Sequence, residues 1–525
     1  MTALEELRCD VLVAGGGING AAIARDVAGR GVSVILCEQD DLASHTSSAS
    51  TKLIHGGLRY LEHGKVRLVY KALREREVLL RVAPHLVHPL RLVLVHEASM
   101  RPAWMLRAGL WLYDRMSGRS RLLPSRRIDL ADHPAGPALR PGLHTAFEFS
   151  DAWTDDARLV VTAAIDAAER GARIFTRTRL ARAQREDGAW VAETKPQQGR
   201  AIRIRARALV NATGPWADRF LREVCAIGSQ RRLRLVKGSH LVVHRALGHS
   251  YAYMLQAPDR RIAFAIPFED RFTLIGTTDV EVQDEPGASR IDDAEIGYLC
   301  ELANRYLRVP VGPSDIAWTY SGVRPLIDDG AGPSELTRDY SLELDRHGAP
   351  LLTVWGGKIT TFRTLAEEAG DALAGCLGSV GSVGSVGYRR GRWTHDAVLP
   401  GGDVPASPGA AGDGAAALEA FVAALGTQYQ WLAPPVLRRM ARAYGTRVAA
   451  VLGSARSPSD LGEPIADGLY EAELEYLAAR EWARSAEDVL WRRSKLGLHL
   501  AEADRRRVAD WFERRRSPVE ASSTG

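Results

Sequence analysis

Residues 11–38 read VLVAGGGINGAAIARDVAGRGVSVILCE. Four apolar residues at 11–14 suit a fully buried parallel strand. Gly15, Gly17 and Gly20 then keep the GxGxxG spacing, and a helix is predicted over 18–29. Gly31 closes that helix, residues 32–36 form a second buried strand, and Glu38 stands at its end. Gly15 permits the tight strand-to-helix turn, Gly17 lets the backbone approach a pyrophosphate, and Gly20 lets helix and strand pack closely. Free amides at the helix start, around Ile18 and Asn19, face phosphate charge. Glu38, roughly 20 residues on, is placed to accept ribose hydroxyl hydrogen bonds and would repel a 2′-phosphate. The stretch predicts a pocket for the adenosine half of FAD or NAD, not NADP, and does not choose between the two.

A chain of 525 residues has room for about three domains. Its five cysteines (Cys9, Cys37, Cys225, Cys300 and Cys376) are scattered without a CxxC pair, which argues against a zinc or iron–sulfur framework and suggests a reducing compartment. The start, MTALEELRCD, runs straight into the first strand without the features of a signal peptide. No run of 18 apolar residues occurs, so no membrane-spanning helix is expected. A net charge of +5, carried mainly by arginine, is too mild and dispersed to suggest nucleic acid; it suits an anionic small substrate or a lipid surface.

Beyond Glu38, residues 44–51 are too rich in hydroxyls for a core element and are expected to be loop, with Ser47, Ser48 and Ser50 beside the dinucleotide fold. Lys52, Leu53 and Ile54 lead to His55, Gly56, Gly57, Arg59 and Tyr60. An imidazole and a guanidinium there stand four residues apart around glycines that permit close approach; the bland alternative is a solvated loop. Residues 65–82 read as a helix laced with Arg–Glu pairs, and 86–95 as a strand. A helix over 101–116 concentrates Trp104, Met105, Leu106, Leu110, Trp111, Leu112 and Tyr113 among Arg101, Arg107 and Arg115. That mixture suits a membrane interface, although a core-facing helix would read the same way.

An amphipathic helix is predicted over 151–171, followed by strands over 172–178, 190–195 and 202–210. The last enters Asn211-Ala-Thr-Gly-Pro-Trp-Ala-Asp218, where the small run Ala-Thr-Gly, ending at Gly214, lets backbone come close to something bulky and Pro215-Trp216 follows. Residues 220–330 are β-rich and are expected to form a separate antiparallel sheet roofing the substrate. Within them lie Lys237-Gly-Ser-His240, Thr277-Thr-Asp279, and a strand over 318–326 carrying Gly322 and Arg324; Arg338 follows in Thr337-Arg-Asp-Tyr340. A strand over 351–355 meets Gly356-Gly357-Lys358-Ile359-Thr360-Thr361 and a helix running to about 377. This second strand–glycine–helix junction aims backbone amides at negative charge, such as that of a reduced flavin. Residues 378–391 repeat GSV as a low-complexity linker, and about 416–516 reads as helical.

The passages GGGINGAAIARDVAGRG, TSSASTKLIHGGLRYLEHG, VNATGPWA, KGSH, IGTTDVE, WTYSGVRPL, TRDY, WGGKITTFR and VLPGG stand in this order along the chain. With them the sequence resembles the FAD-dependent glycerol-3-phosphate dehydrogenases, in particular the aerobic, respiratory bacterial type and its mitochondrial relatives. The resemblance implies an α/β + α architecture: a two-dinucleotide-type FAD-binding fold like that of glutathione reductase and amino-acid oxidases, an antiparallel β substrate domain and a C-terminal helical domain. The expected division is 1–80, 150–220 and 320–377 for FAD binding, and 81–149 with 221–319 for substrate. Residues 378–415 would be linker and 416–525 the cap.

The implied reaction oxidises sn-glycerol 3-phosphate to dihydroxyacetone phosphate by hydride transfer from carbon 2 to the flavin N5 atom. Electrons would pass to membrane quinone, with non-covalent FAD and peripheral attachment to the inner face of the cytoplasmic membrane. Oligomeric state is left open, a homodimer being one alternative. The family motifs place Arg59, Tyr60, His240, Arg338 and Lys358 near substrate or flavin, and His55 and Arg324 nearest the reacting carbon. Gly15, Gly17, Ile18, Asn19, Gly20, Glu38, Ser47, Ser48, Ser50, Lys52, Leu53, Ile54, Gly56, Gly214, Trp216, Gly322, Gly357, Lys358, Ile359 and Thr360 would hold the cofactor.

The chemistry of these side chains is compatible with that reading. A phosphate dianion needs several cations, and arginine grips its oxygens with two parallel donors where lysine offers a point charge. A histidine suits removal of the hydroxyl proton near neutral pH. His55 is assigned that role, with His240 as its rival, and Arg324 would steady the developing alkoxide. Two other classes stand beside this one: an oxidase that reduces oxygen to peroxide, and a non-catalytic nucleotide-binding module that senses redox state.

Overall fold

A computed structural model describes residues 5–62, 64–97, 100–118, 120–229, 231–259, 261–283, 285–328, 339–377, 391–405 and 414–516. Arg338 and most of the predicted linker lie outside the described residues.

The strand Glu5–Ala14 is the centre of an eight-stranded sheet. It pairs in parallel with Val34–Cys37 on one side and Ile202–Asn211 on the other, and Arg173–Phe175 and Leu351–Trp355 extend the parallel core outward. Val11, Leu12 and Val13 are fully buried, as a parallel strand covered on both faces requires. The helices Ile18–Gly29, Asp156–Glu169 and Phe362–Leu377 contribute to the core on one face of this sheet. The parallel strands thus direct three strand-to-helix turns, after residues 14, 211 and 355, to the carboxyl edge of the sheet. Ligands of open α/β sheets bind at that edge.

A ten-stranded sheet carries the second core. Its order runs Val280–Val282, Leu233–Val243, Phe272–Gly276, Ile262–Phe268, Ala252–Gln256, Val87–Val95, Thr145–Thr154 and Leu53–Ile54, with Ile316–Ile327 laid along Leu233–Val243. Only Ala252–Gln256 against Val87–Val95 is parallel among the register pairs. The sheet is wider than the β-rich stretch 220–330, because it recruits strands from both sides of the nucleotide-binding helices. One of these corrects a predicted boundary: residues 151–154 belong to the strand Thr145–Thr154, and the helix starts at Asp156. Asp155 caps it by accepting from the Arg158 amide at 3.2 Å, a helix-start signal in the pair Asp155-Asp156.

The C-terminal part is helical around Leu437, Met440, Leu474, Leu477 and Trp511. Within the stretch of about 416–516 that reads as helical, residues 488–498 instead hold a π-helical turn, Asp488–Arg493, and a short turn, Leu496–Leu498. Two buried ionic contacts fasten this part to the nucleotide-binding layer. Arg158 grips Glu481 with both guanidinium nitrogens, and Arg493 donates to both oxygens of Asp41 at 2.5 and 2.7 Å. All four side chains are at most 3% exposed.

The helix Ala103–Met116 divides its faces unevenly. Leu110, Tyr113 and Met116 are buried, whereas Trp104 (70% exposed), Trp111 (51%), Leu112 (41%) and Met105 (37%) face outward. Arg115 lies 4.6 Å from the Trp111 ring. Among the described residues no helix is long and apolar enough to cross a membrane.

Candidate active site

A cleft of about 570 Å³ runs from the first glycine turn to the inner face of the large sheet. At the nucleotide end Gly15 has φ +106°, and a Cβ there would lie 2.5 Å from the Ala212 carbonyl oxygen. A Cβ on Gly20 would lie 1.9 Å from the Gly15 oxygen, so the helix approaches the strand only because that position is bare. The Ile18 amide donates to Ser47 Oγ at 3.0 Å. Glu38 is buried and accepts from the amides of Gly16 (2.5 Å) and Asp40 (2.8 Å). Burial pushes its pKa up, against the pull of those amides.

The second glycine junction closes on the first. Asn19 Nδ2 donates to the Gly356 oxygen at 3.2 Å, while Asn19 Oδ1 is buried with no partner among the described residues. Gly356 and Gly357 both have positive φ. A dinucleotide fits this cradle: bare glycines at the turn, amides at a helix start, a carboxylate at the next strand end and a spare buried acceptor.

The same cleft is lined by His55, Arg59, Tyr60, His240, Thr277, Asp279, Arg324 and Lys358. Sheet register makes this cluster. His240 stands opposite Tyr320, Gly238 opposite Gly322 and Val236 opposite Arg324, so alternate residues of two long strands share the cleft face. Glycines clear room for the working side chains. A Cβ on Gly238 would lie 2.2 Å from Arg324 Nη2, one on Gly276 2.1 Å from His240 Cδ2, and one on Gly57 2.3 Å from Tyr60 Cδ2.

Arg324 forms an ion pair with Asp279 and donates to Thr277 Oγ1 at 2.9 Å. Lys358 Nζ sits 3.9 Å from the centre of the Tyr60 ring. The His55 ring meets Phe264 edge-on, and its amide reaches Thr360 Oγ1 at 3.4 Å. His240 is 1% exposed, and its Nε2 lies 3.0 Å from Thr51 Oγ1. Burial, aided by Arg324 and Lys52, holds its pKa well below the usual imidazole range, so the ring is neutral.

Of the residues named from sequence, Gly15, Gly17, Ile18, Asn19, Glu38, Ser47, Ser50, Leu53, His55, Arg59, Tyr60, Gly214, Trp216, His240, Gly322, Arg324, Gly357, Lys358, Ile359 and Thr360 line the cleft. Gly20, Ser48, Lys52, Ile54 and Gly56 do not. Lys52 is the clearest departure: its ammonium turns into the core and pairs with Asp156 at 2.7 Å, both side chains fully buried. Gly56 gives its amide to the Tyr113 hydroxyl, and Ile54 is core. Sequence reasoning passed over Asp279, Thr277 and Thr51. The only signal was the glycine-flanked run Thr277-Thr-Asp279 at a strand end.

Residues 10–363 match the FAD dependent oxidoreductase family, and residues 393–515 match the C-terminal domain of alpha-glycerophosphate oxidase. The chain belongs to the FAD-dependent oxidoreductases. FAD is therefore the dinucleotide of the cradle, which the glycine motif alone left undecided. The chain is 46% identical to the aerobic glycerol-3-phosphate dehydrogenase of Escherichia coli over 510 residues, covering 96% of this chain and 97% of that one. It is equally 46% identical to the D-erythritol 1-phosphate dehydrogenase of Brucella abortus over 508 residues, covering 96% and 98%. A solved glycerol-3-phosphate dehydrogenase from Bacillus halodurans, complexed with FAD, superposes with a TM-score of 0.72 at 25% identity, covering 97% and 94% of the two chains.

Proposed function

We propose that this FAD-dependent oxidoreductase oxidises sn-glycerol 3-phosphate to dihydroxyacetone phosphate and passes the electrons to a membrane quinone. The observation that carries the reading is that Arg59, Arg324 and Lys358 line, together with His55, the cleft that also holds the dinucleotide cradle. Bound FAD supplies the two-electron acceptor that takes the hydride from carbon 2. The protein supplies the remainder. Arg59, Arg324 and Lys358 hold the phosphate and the polyol, His55 takes the hydroxyl proton, and the apolar walls formed by Phe264, Met254 and Ile262 keep water from the reacting carbon. Arg338 is retained as a further phosphate contact. The division into FAD, substrate and cap regions expected from the sequence is part of the same reading.

A second substrate has specific support, because the Brucella relative acts by name on a four-carbon polyol phosphate. The relatives matched along their full length are dehydrogenases, which weighs against the oxidase. Mixing the yellow holoenzyme anaerobically with each polyol phosphate discriminates between the substrates. Glycerol 3-phosphate is expected to bleach the flavin with the higher kcat/KM. Faster bleaching by D-erythritol 1-phosphate would reassign the substrate, and no bleaching by either would reject the reaction.

Docking on the inner face of the cytoplasmic membrane is proposed through the helix Ala103–Met116. Its outward tryptophans, with Arg101 and Arg115 beside them, supply rings for headgroup depth and charges for anionic lipid. Trp104→Ser with Trp111→Ser is expected to release the protein from vesicles containing anionic lipid, while reduction of a soluble dye continues. Unchanged vesicle binding would reject this face.

A further inference from the structure

The strand Ile316–Ile327 presents Trp318, Tyr320, Gly322 and Arg324 at alternate positions, and therefore on one face. Arg324 and Gly322 line the cleft. Tyr320 stacks on the His240 ring with centroids 4.7 Å apart and planes at 17°. Trp318 follows at 4.9 Å from Tyr320, and Trp491 stacks on Trp318 at 4.6 Å with planes at 27°. Four rings thus form a column from the cleft to the C-terminal part. Its outer end is seated: a Cβ on Gly497 would lie 2.6 Å from Trp491 Cε2, so the indole packs against bare backbone. Its middle is pinned by the Tyr320 hydroxyl, which donates to the Ser50 oxygen at 2.9 Å, and by Lys52, whose Nζ is 5.0 Å from the Tyr320 ring centre.

His240 needs such a fixture. A neutral imidazole offers one donor and one acceptor. Nε2 engages Thr51, while Nδ1 is buried with no partner among the described residues. That hydrogen bond fixes one direction of the ring, and the Tyr320 face, with bare Gly276 against the ring, sets its plane.

We propose that Trp491 is a positioning residue of the active site: acting through Trp318 and Tyr320, it fixes the plane of the His240 ring in the cleft wall. The C-terminal part then contributes to catalysis without touching substrate. This rests on the polyol phosphate reading for its kinetic arm only.

The test compares holoenzymes of the parent, Trp491→Ala, Trp491→Phe and Tyr429→Leu. The last removes a buried ring of the same C-terminal core that lies outside the column. Trp491→Ala is expected to slow flavin reduction by glycerol 3-phosphate about 10- to 100-fold, the cost of a small misplacement at a reacting centre. Trp491→Phe should recover most of the loss, and Tyr429→Leu, at a similar loss of Tm, should keep the parental rate. An arm independent of turnover is acylation of His240 by diethyl pyrocarbonate, mapped by mass spectrometry, which should accelerate in Trp491→Ala and not in Tyr429→Leu. If Trp491→Ala does not fold, Gly497→Ala, which displaces the same indole, carries the same comparisons. Parental rate and parental acylation in the Trp491 variant overturn the proposal, as do equal losses in the column variant and the control at matched Tm. A parent that glycerol 3-phosphate does not reduce would overturn the substrate reading instead, and the acylation arm would still decide the positioning role.

Discussion

His55→Asn is expected to lower the rate of flavin reduction by about 10²- to 10⁴-fold, the range in which a positioned general base contributes. Substrate affinity should change far less, because Arg59, Arg324 and Lys358, the cations proposed to hold the phosphate, still line the cleft. His55 is preferred over His240 on physical grounds. His240 is sealed from water, its pKa is held well below the ordinary range, and its Nε2 is engaged by Thr51. A ring so depressed is deprotonated at neutral pH yet is a weak proton acceptor, and proton transfer is most efficient when the acceptor's pKa lies near the working pH. His240→Asn should therefore lose less in the reduction step than His55→Asn does. Stopped-flow bleaching across substrate concentration separates the two quantities. A parental reduction rate in His55→Asn would remove it from the mechanism, and a larger loss in His240→Asn would transfer the role.

The second large effect concerns the pair of Arg324 and Asp279. Arg324→Met removes a cation together with its ion pair to Asp279, whose carboxylate lines the cleft proposed to take the phosphate dianion. Truncating one member of a hydrogen-bonded charge pair costs about 2–5 kcal/mol when the pair is buried. These side chains are 22% and 31% exposed, so solvent screening puts the expected cost near the lower end, about 30-fold in kcat/KM. Adding Asp279→Asn to Arg324→Met should restore part of that loss, because the surviving repulsion is then removed. A double variant no better than the single one would show that Asp279 does not act on the substrate's charge.

These two predictions differ in how far the sequence could support them. The nucleotide cradle is written locally: Gly15, Gly17, Gly20 and Glu38 fall within 24 residues, and spacing alone conveys strand, turn, helix and strand. His55, Arg59 and Tyr60 are also neighbours in the chain, and polar density beside the cradle marks them. Asp279 and Arg324 are 45 residues apart, and only the pairing of Leu233–Val243 with Ile316–Ile327 and Phe272–Gly276 brings them together. Sheet register of that kind depends on partners that no local pattern names. Lys52 misleads for the same reason. In a polar loop it reads as a cofactor contact, but Asp156, 104 residues away, takes the ammonium into the core. The strand Thr145–Thr154 was hidden because its pattern runs directly into a strong helix signal.

The ionic fastening of the C-terminal part bears on how the chain is made. Asp41, three residues beyond Glu38, is held by Arg493, and 452 residues separate the partners. At ribosomal speeds of about 5–20 residues per second, the nucleotide loop leaves the tunnel roughly 20–90 s before its guanidinium exists. Over that interval Arg158 likewise has no Glu481. A chain released early would lack these two contacts between the C-terminal part and the nucleotide-binding layer. The loop next to the cofactor cradle therefore gains its Arg493 contact only after synthesis has passed residue 493.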